Sequence, residues 1–146
     1  MLELSMKDLF VDTTCAHQFC NPINEDYKIL LKWLSEEGTL IYNNQLLIEI
    51  GRGNQTLFAL INLLIQSGRA KKITSSELKN FEFSKSQHKK FMCNKEDRIH
   101  LKTIILSDRK IAIVGDNNLR RDVNILPKYQ GIKPVAVELP SEIDYK

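Results

Sequence analysis

Short runs of consecutive apolar residues alternate along this chain with longer segments whose apolar positions recur every three or four residues. Leu9-Phe10-Val11 is the first run, and Asp12 closes it. Tyr27, Leu30, Leu31 and Leu34 then share one helical face, with Asn24 placed to cap that helix and Gly38 to end it as a C-cap glycine. Thr39 to Tyr42 reads as a second strand, followed by a helix from about Asn44 to Ile50. Asn54 opens a further helix with Leu57, Leu60, Ile61 and Leu64 turned inward and Gly68 at its end. The stretch from Lys71 to Met92 is polar and basic, with Phe81, Phe83 and Phe91 interleaved, and accommodates a short strand near Ile73 and one or two helices. A helix from about Lys95 to Asp108, a strand over Ile111 to Val114, a short helix around Leu119 to Val123 and a last strand at Val135 to Val137 complete the pattern. Apolar strands alternating with amphipathic helices predict a parallel sheet covered on both faces. The expected fold is therefore a three-layer α/β/α domain with a small central parallel sheet.

Composition narrows this only slightly. The chain has 146 residues, 42% apolar and 27% charged, which suits one domain over 1–146 and excludes disordered, collagen-like and coiled-coil classes. With 21 basic against 18 acidic side chains, the net charge of +3 permits a polyanionic partner without demanding one. Met1 to Leu9 has no signal-peptide core, since Glu3, Lys7 and Asp8 interrupt it. Leu57 to Ile65, the longest apolar stretch, falls well short of the roughly 20 residues a membrane span needs. Cys15, Cys20 and Cys93 form an odd set, so reduced thiols, a cytoplasmic location and no membrane contact are expected.

The candidate chemistry is carboxylate chemistry. Asp12 and Asp116 both end predicted strands and fall on the rim where open parallel sheets bind ligands; each is also a natural turn or cap residue. Glu49 interrupts the apolar run Leu46-Leu47-Ile48 and Ile50, where burial of an unpaired carboxylate is costly. Asp97 shares a predicted helical face with Leu101, Ile104 and Ile105, although Asn94 as N-cap with Asp97 three residues on would account for it locally. If the four converge, their repulsion calls for a cation, and an all-oxygen donor set favours Mg²⁺ or Mn²⁺. Such a centre suits phosphodiester hydrolysis.

In these residues the chain resembles the PIN-domain nucleases. The resemblance is carried by Asp12-Thr13-Thr14 after the first strand, Glu49 in the helix after the second, Asp97-Arg98-Ile99-His100-Leu101 and Ile113-Val114-Gly115-Asp116-Asn117-Asn118-Leu119. It spans nearly the whole chain in order and rough spacing; Gly115 departs from the Thr or Asn that often precedes the last Asp. It implies that Asp12, Glu49, Asp97 and Asp116 are catalytic metal ligands for Mg²⁺ or Mn²⁺, with Thr14 and Asn117 in supporting positions. The implied activity is metal-dependent endonucleolytic cleavage, usually of RNA, as in VapC-type toxins and RNA-processing enzymes. An antitoxin or operon-partner protein and a homodimer are the implied protein partners. A catalytically inactive interaction module and a structure-specific DNase on the same fold are the alternatives.

Arg52, Arg120 and Arg121 lie close in sequence to these acids and are the candidate phosphate contacts, although any one of them could equally be solvated surface. The Lys89-Lys90-Phe91 stretch could add a stacking ring, although that ring equally suits the core, and His100 could orient a ligand, although such a histidine is more often a satisfied partner within the fold. Cys15, His17 and Cys20, with Cys93 or His88, lack the spacing of a zinc finger. Gly51-Arg52-Gly53 lacks the remaining residues of a nucleotide loop, and Cys93 with a histidine lacks the partners of a thiol hydrolase.

Overall fold

The computed structural model describes residues 7–145; the first six residues, part of the segment read above for a signal peptide, lie outside that range. Five strands form one all-parallel sheet: β1 (Asp8–Val11), β2 (Thr39–Tyr42), β3 (Ala70–Lys72), β4 (Ile111–Ile113) and β5 (Val135–Val137), in the spatial order β3-β2-β1-β4-β5. Phe10 pairs with Ile41 on one side and Ala112 on the other. Every residue of β1 and β2 is buried, as a parallel sheet covered on both faces requires.

The helices are α1 (Thr13–Ala16), α2 (Glu25–Glu36), α3 (Asn44–Gly53), α4 (Gln55–Gln66), α5 (Ser75–Asn80), α6 (Lys85–Lys90), α7 (Arg98–Leu106) and α8 (Asn117–Asn124). Asn24, Asn43, Asn54, Thr74, Ser84 and Asp116 each accept a backbone N–H at a helix start. Short polar side chains thus set the boundaries in the way their chemistry dictates. The chain winds outward from β1 to β3, then crosses back to β4 and continues outward to β5. Right-handed crossovers in those two opposite directions put the two sets of helices on opposite faces of the sheet. In one set α3 packs on α4, and α2 and α4 both meet the 3-10 turn His17–Cys20; in the other α5 and α8 pack on α7. The fold is a three-layer α/β/α domain. Among the described residues no helix is long and apolar enough to cross a membrane, and all three cysteines are free.

Two local expectations change. The helix expected from Lys95 starts instead at Arg98, because Asn94 Oδ1 accepts the Asp97 N–H at 3.0 Å and holds residues 94–97 as a separate turn. Gly38 is not a left-handed cap: Glu37 is the cap residue of α2, and Gly38 is absent from the positive-φ glycines, which are Gly68 and Gly131. Its role is steric. A Cβ at Gly38 would lie 2.5 Å from the Trp33 indole, whose Nε1–H donates to the Tyr145 carbonyl at 3.0 Å. Gly68, with φ +75°, does end α4 in the expected way.

The basic segment 71–92 also resolves into structure. Phe91 is buried, edge-on to Phe83 at 5.0 Å, and so belongs to the core rather than serving as a ring for an unpaired base. Phe81 and Tyr129 extend the same aromatic cluster.

Gly38→Ala is expected to destabilise the protein by about 1–3 kcal/mol through overpacking against Trp33. Gly53→Ala, at a helical position with no atom within 4 Å of the added methyl, should cost nothing. Urea unfolding midpoints of the two variants test this, and equal midpoints would remove the steric role assigned to Gly38.

Candidate functional site

β1 and β4 are neighbours whose chains leave the sheet in opposite directions, and a crevice opens beyond their carboxyl ends. Asp12, the first residue past β1, occupies it with 5% exposure. Its Oδ1 accepts the Cys15 N–H at 2.9 Å and so caps α1; its Oδ2 accepts the Gly115 N–H at 3.0 Å. One carboxylate therefore ties together the chain ends of both central strands. Gly115 suits this approach because a Cβ there would lie 3.2 Å from Cys15 Sγ.

Asp116 follows directly and caps α8, accepting the Leu119 N–H on Oδ1 at 2.8 Å. Glu49 arrives from α3. Thr13 Oγ1 donates to its Oε1 at 2.9 Å and Gln45 Nε2 to its Oε2 at 3.1 Å. His100 Nε2 stands 3.5 Å from the same Oε1. The histidine tautomer follows from the network behind it. Asn43 Oδ1 accepts the Leu46 N–H at 2.7 Å, so Asn43 Nδ2 is the group facing His100 Nδ1 at 3.2 Å and Thr103 Oγ1 at 2.7 Å. Nδ1 is then the acceptor, and Nε2 carries its proton toward Glu49.

These contacts, the His100 bond foremost, hold the Glu49 carboxyl at about 2, well below its ordinary 4.5. Glu49 is not buried in an apolar run as expected from the sequence. Its side chain keeps 34% exposure, and α3 buries only Leu46 and Ile50 and leaves Ile48 outward. Asp97 differs from Glu49 in kind. It precedes the first turn of α7 and its side chain makes no capping hydrogen bond. Burial raises its pKa; His100 opposes that shift, and the carboxylates of Asp116, Glu49 and Asp12 add to it.

Asp12, Glu49, Asp97 and Asp116 line one cleft of about 120 Å³ together with Thr13, Thr14, His100 and Leu119. Among the described residues, no three His, Cys, Asp or Glu side chains close into a ready metal-holding group. The donor set still suits a hard cation. It is all oxygen, it includes an Asp97 carboxylate without a capping bond, and Mg²⁺ keeps several waters and needs only one or two carboxylates rather than a full protein cage.

The remaining candidates are placed as follows. Thr14 lines the cleft but is exposed, and the hydroxyl that bonds a carboxylate is that of Thr13. Asp12 is supported by backbone amides instead. Asn117 accepts from Arg120 Nη2. Arg120 also donates to the carbonyls of Val114 and Gly115, and Arg121 donates to the Lys90 carbonyl and to Asp122. Both arginines are therefore tied into the fold, and neither they nor Arg52, which is exposed in the last turn of α3, line the cleft. Burial pushes the Cys15 thiol up to about 12, against thiolate ligation.

Sequence reading missed Asp122, which is fully buried. Its carboxylate accepts the N–H groups of Met92 and Cys93 at 2.8–3.0 Å and pins the approach to Asp97 onto α8. The signal was available: Asp122 shares a helical face with Leu119 and Val123, the same conflict that marks Asp97.

The depressed Glu49 pKa has a thermodynamic consequence. Its contribution to stability is full above pH 4.5 and is lost as pH falls toward 2. The stability gap between wild type and Glu49→Gln should therefore be widest above pH 4.5 and narrow toward pH 2. Urea melts across that range test it, and a gap that does not change with pH would contradict the hydrogen-bonded Glu49. No family model, curated protein or solved structure matches the chain, so the reading of this cleft rests on its own residues.

Proposed function

We propose that this protein is a Mg²⁺- or Mn²⁺-dependent endoribonuclease of the PIN-domain kind, a single-domain enzyme hydrolysing RNA phosphodiester bonds. The observation that carries the reading is the convergence of Asp12, Glu49, Asp97 and Asp116, from four separate parts of the chain, on one cleft at the topological switch point of a parallel sheet. Each acid has a distinct part. Asp12 is immobilised by two amides and sets the position of the others. Glu49 is held ionised by Thr13, Gln45 and His100. Asp116 spends one oxygen on its helix cap, and Asp97 offers a carboxylate free of capping duty. When bound, the cation supplies Lewis acidity for attack of water on the phosphate. Such hydrolysis requires no side-chain nucleophile.

A second reading, a non-catalytic interaction module on the same scaffold, draws on the absence of a closed ligand group among the described residues. A toxin with an antitoxin or operon partner, and a structure-specific DNase, are variants of the first reading that cleavage of matched RNA and DNA oligonucleotides and the neighbouring genes distinguish.

Mn²⁺ titration followed by thermal melting separates the two readings, because a cation that binds only the folded state raises its melting temperature. Wild type should melt higher with Mn²⁺, and Asp97→Asn and Asp116→Asn should lose most of that gain. Both variants should fold: Asn preserves the cap at Asp116, and relief of like-charge repulsion seldom destabilises. RNA cleavage by either should fall by at least roughly a hundredfold, more than a supporting residue costs. The products should carry 5′-phosphate and 3′-hydroxyl ends. Cyclic phosphate ends, or wild-type cleavage by Asp116→Asn, would sink the assignment.

A further inference from the structure

The N-terminal turn of α7 serves two sites at once. Asp97 and His100 face the carboxylate cleft, while Arg98, Ile99 and Lys102, with Lys95 just before them, line a separate cavity of about 530 Å³ against α5 and α6. At 3.6 residues per turn these two sets fall on opposite faces of one helix. The two sites are therefore neighbours across the width of a single helix.

The volume lies in the range of small-ligand pockets, and the cavity is chemically two-sided. Leu78 and Ile99 supply apolar wall, and Lys79, Lys95 and Arg98 supply charge. Lys102 is neutralised by Glu82 at 2.8 Å. Among the described residues Lys79, Lys95 and Arg98 have no ion-pair partner. Arg98 is also prearranged. Its guanidinium lies over the Phe91 ring at 5.7 Å, and Nη1 donates to His88 Nδ1 at 3.1 Å. A guanidinium only donates, so His88 Nδ1 is the acceptor of that bond. Arg98 Nε is enclosed with no acceptor, which leaves the terminal nitrogens of the guanidinium as its donors to a ligand.

A simple inorganic anion would use the cations and leave the apolar wall wetted. A purely apolar ligand would leave three cations unneutralised. The arrangement fits a ligand that joins a flat apolar group to a phosphate. We propose that the cavity seats one nucleotide unit, its base against Leu78 and Ile99 and its phosphate on Lys79, Lys95 and Arg98, across α7 from the phosphodiester held at the carboxylate cleft. The presence of a strand rests on the nuclease reading; the nucleotide preference rests on the cavity itself. This assigns the basic segment 71–92 a part in choosing a nucleotide of the bound strand on the far side of α7 from the cleaved bond.

The test is binding in EDTA, where neither the cation nor cleavage enters. The four nucleoside 5′-monophosphates, a single-stranded RNA trinucleotide and inorganic phosphate are titrated against wild type and the Lys79→Glu/Lys95→Glu double variant. Both lysines are exposed, so the double variant should melt as wild type does. The monophosphates and the trinucleotide should bind wild type, and the double variant should bind both at least roughly tenfold more weakly, having lost two phosphate contacts. Equal binding by the double variant, or inorganic phosphate competing as well as the nucleotides, overturns the proposal. Binding of monophosphates with exclusion of the trinucleotide overturns the placement beside a strand. Failure of the nuclease reading is registered separately, by cleavage and Mn²⁺ melting.

Discussion

Two amide groups separated by most of the chain, those of Cys15 and Gly115, donate to the two oxygens of Asp12, and the geometry of the candidate site depends on that pair of bonds. A parallel sheet ends its strands with unpaired backbone groups at one rim, and buried donors must find acceptors. Asp12 meets the demand of both central strands with one side chain. It thereby fixes the start of α1, which brings Thr13 to Glu49, and the turn after β4, which brings Asp116 into the same cleft. A residue that began as a local cap has become the joint between the two halves of the fold.

Once Asp12 is spent on amides, the remaining acids divide the electrostatic burden unequally. Glu49 is surrounded by donors and is held as a carboxylate; Asp97 faces burial and three like charges with His100 as the main offset. Groups of the same chemistry are thus driven apart by their surroundings, as sites that handle charge commonly require. His100 mediates the difference, because the Asn43 network fixes which of its nitrogens carries the proton. Helix α7 turns its opposite face to a cavity of opposite sign. The acidic and basic features that nearly cancel in the net charge are, in space, adjacent and separate.

The legible parts of this arrangement were those governed by local chemistry. The strand runs, the capping asparagines and Asp12 at a strand end are properties of neighbouring residues and could be read in order along the chain. Glu49 was singled out for the wrong physical reason: it interrupts an apolar run, yet α3 leaves Ile48 in solvent, and the carboxylate is stabilised by contacts from Thr13 and His100 rather than compromised by burial. Gly38 looked like a helix terminator because glycines often are, while its actual constraint is the indole of Trp33 folded across it. Arg120 and Arg121 stand near the acids in sequence, but backbone carbonyls within reach claim their donors first.

By itself, then, the sequence determined the class of the fold and brought out the acids as candidates, because periodicity, capping and strand-end position act over a few residues. Only the tertiary structure decided which hydroxyl meets Glu49, that Asp122 secures the segment leading to Asp97, which arginines are consumed by the fold, and that a cationic cavity lies across α7 from the carboxylates. Those outcomes depend on contacts between residues far apart in the chain, which exist only once the sheet has brought its edges together.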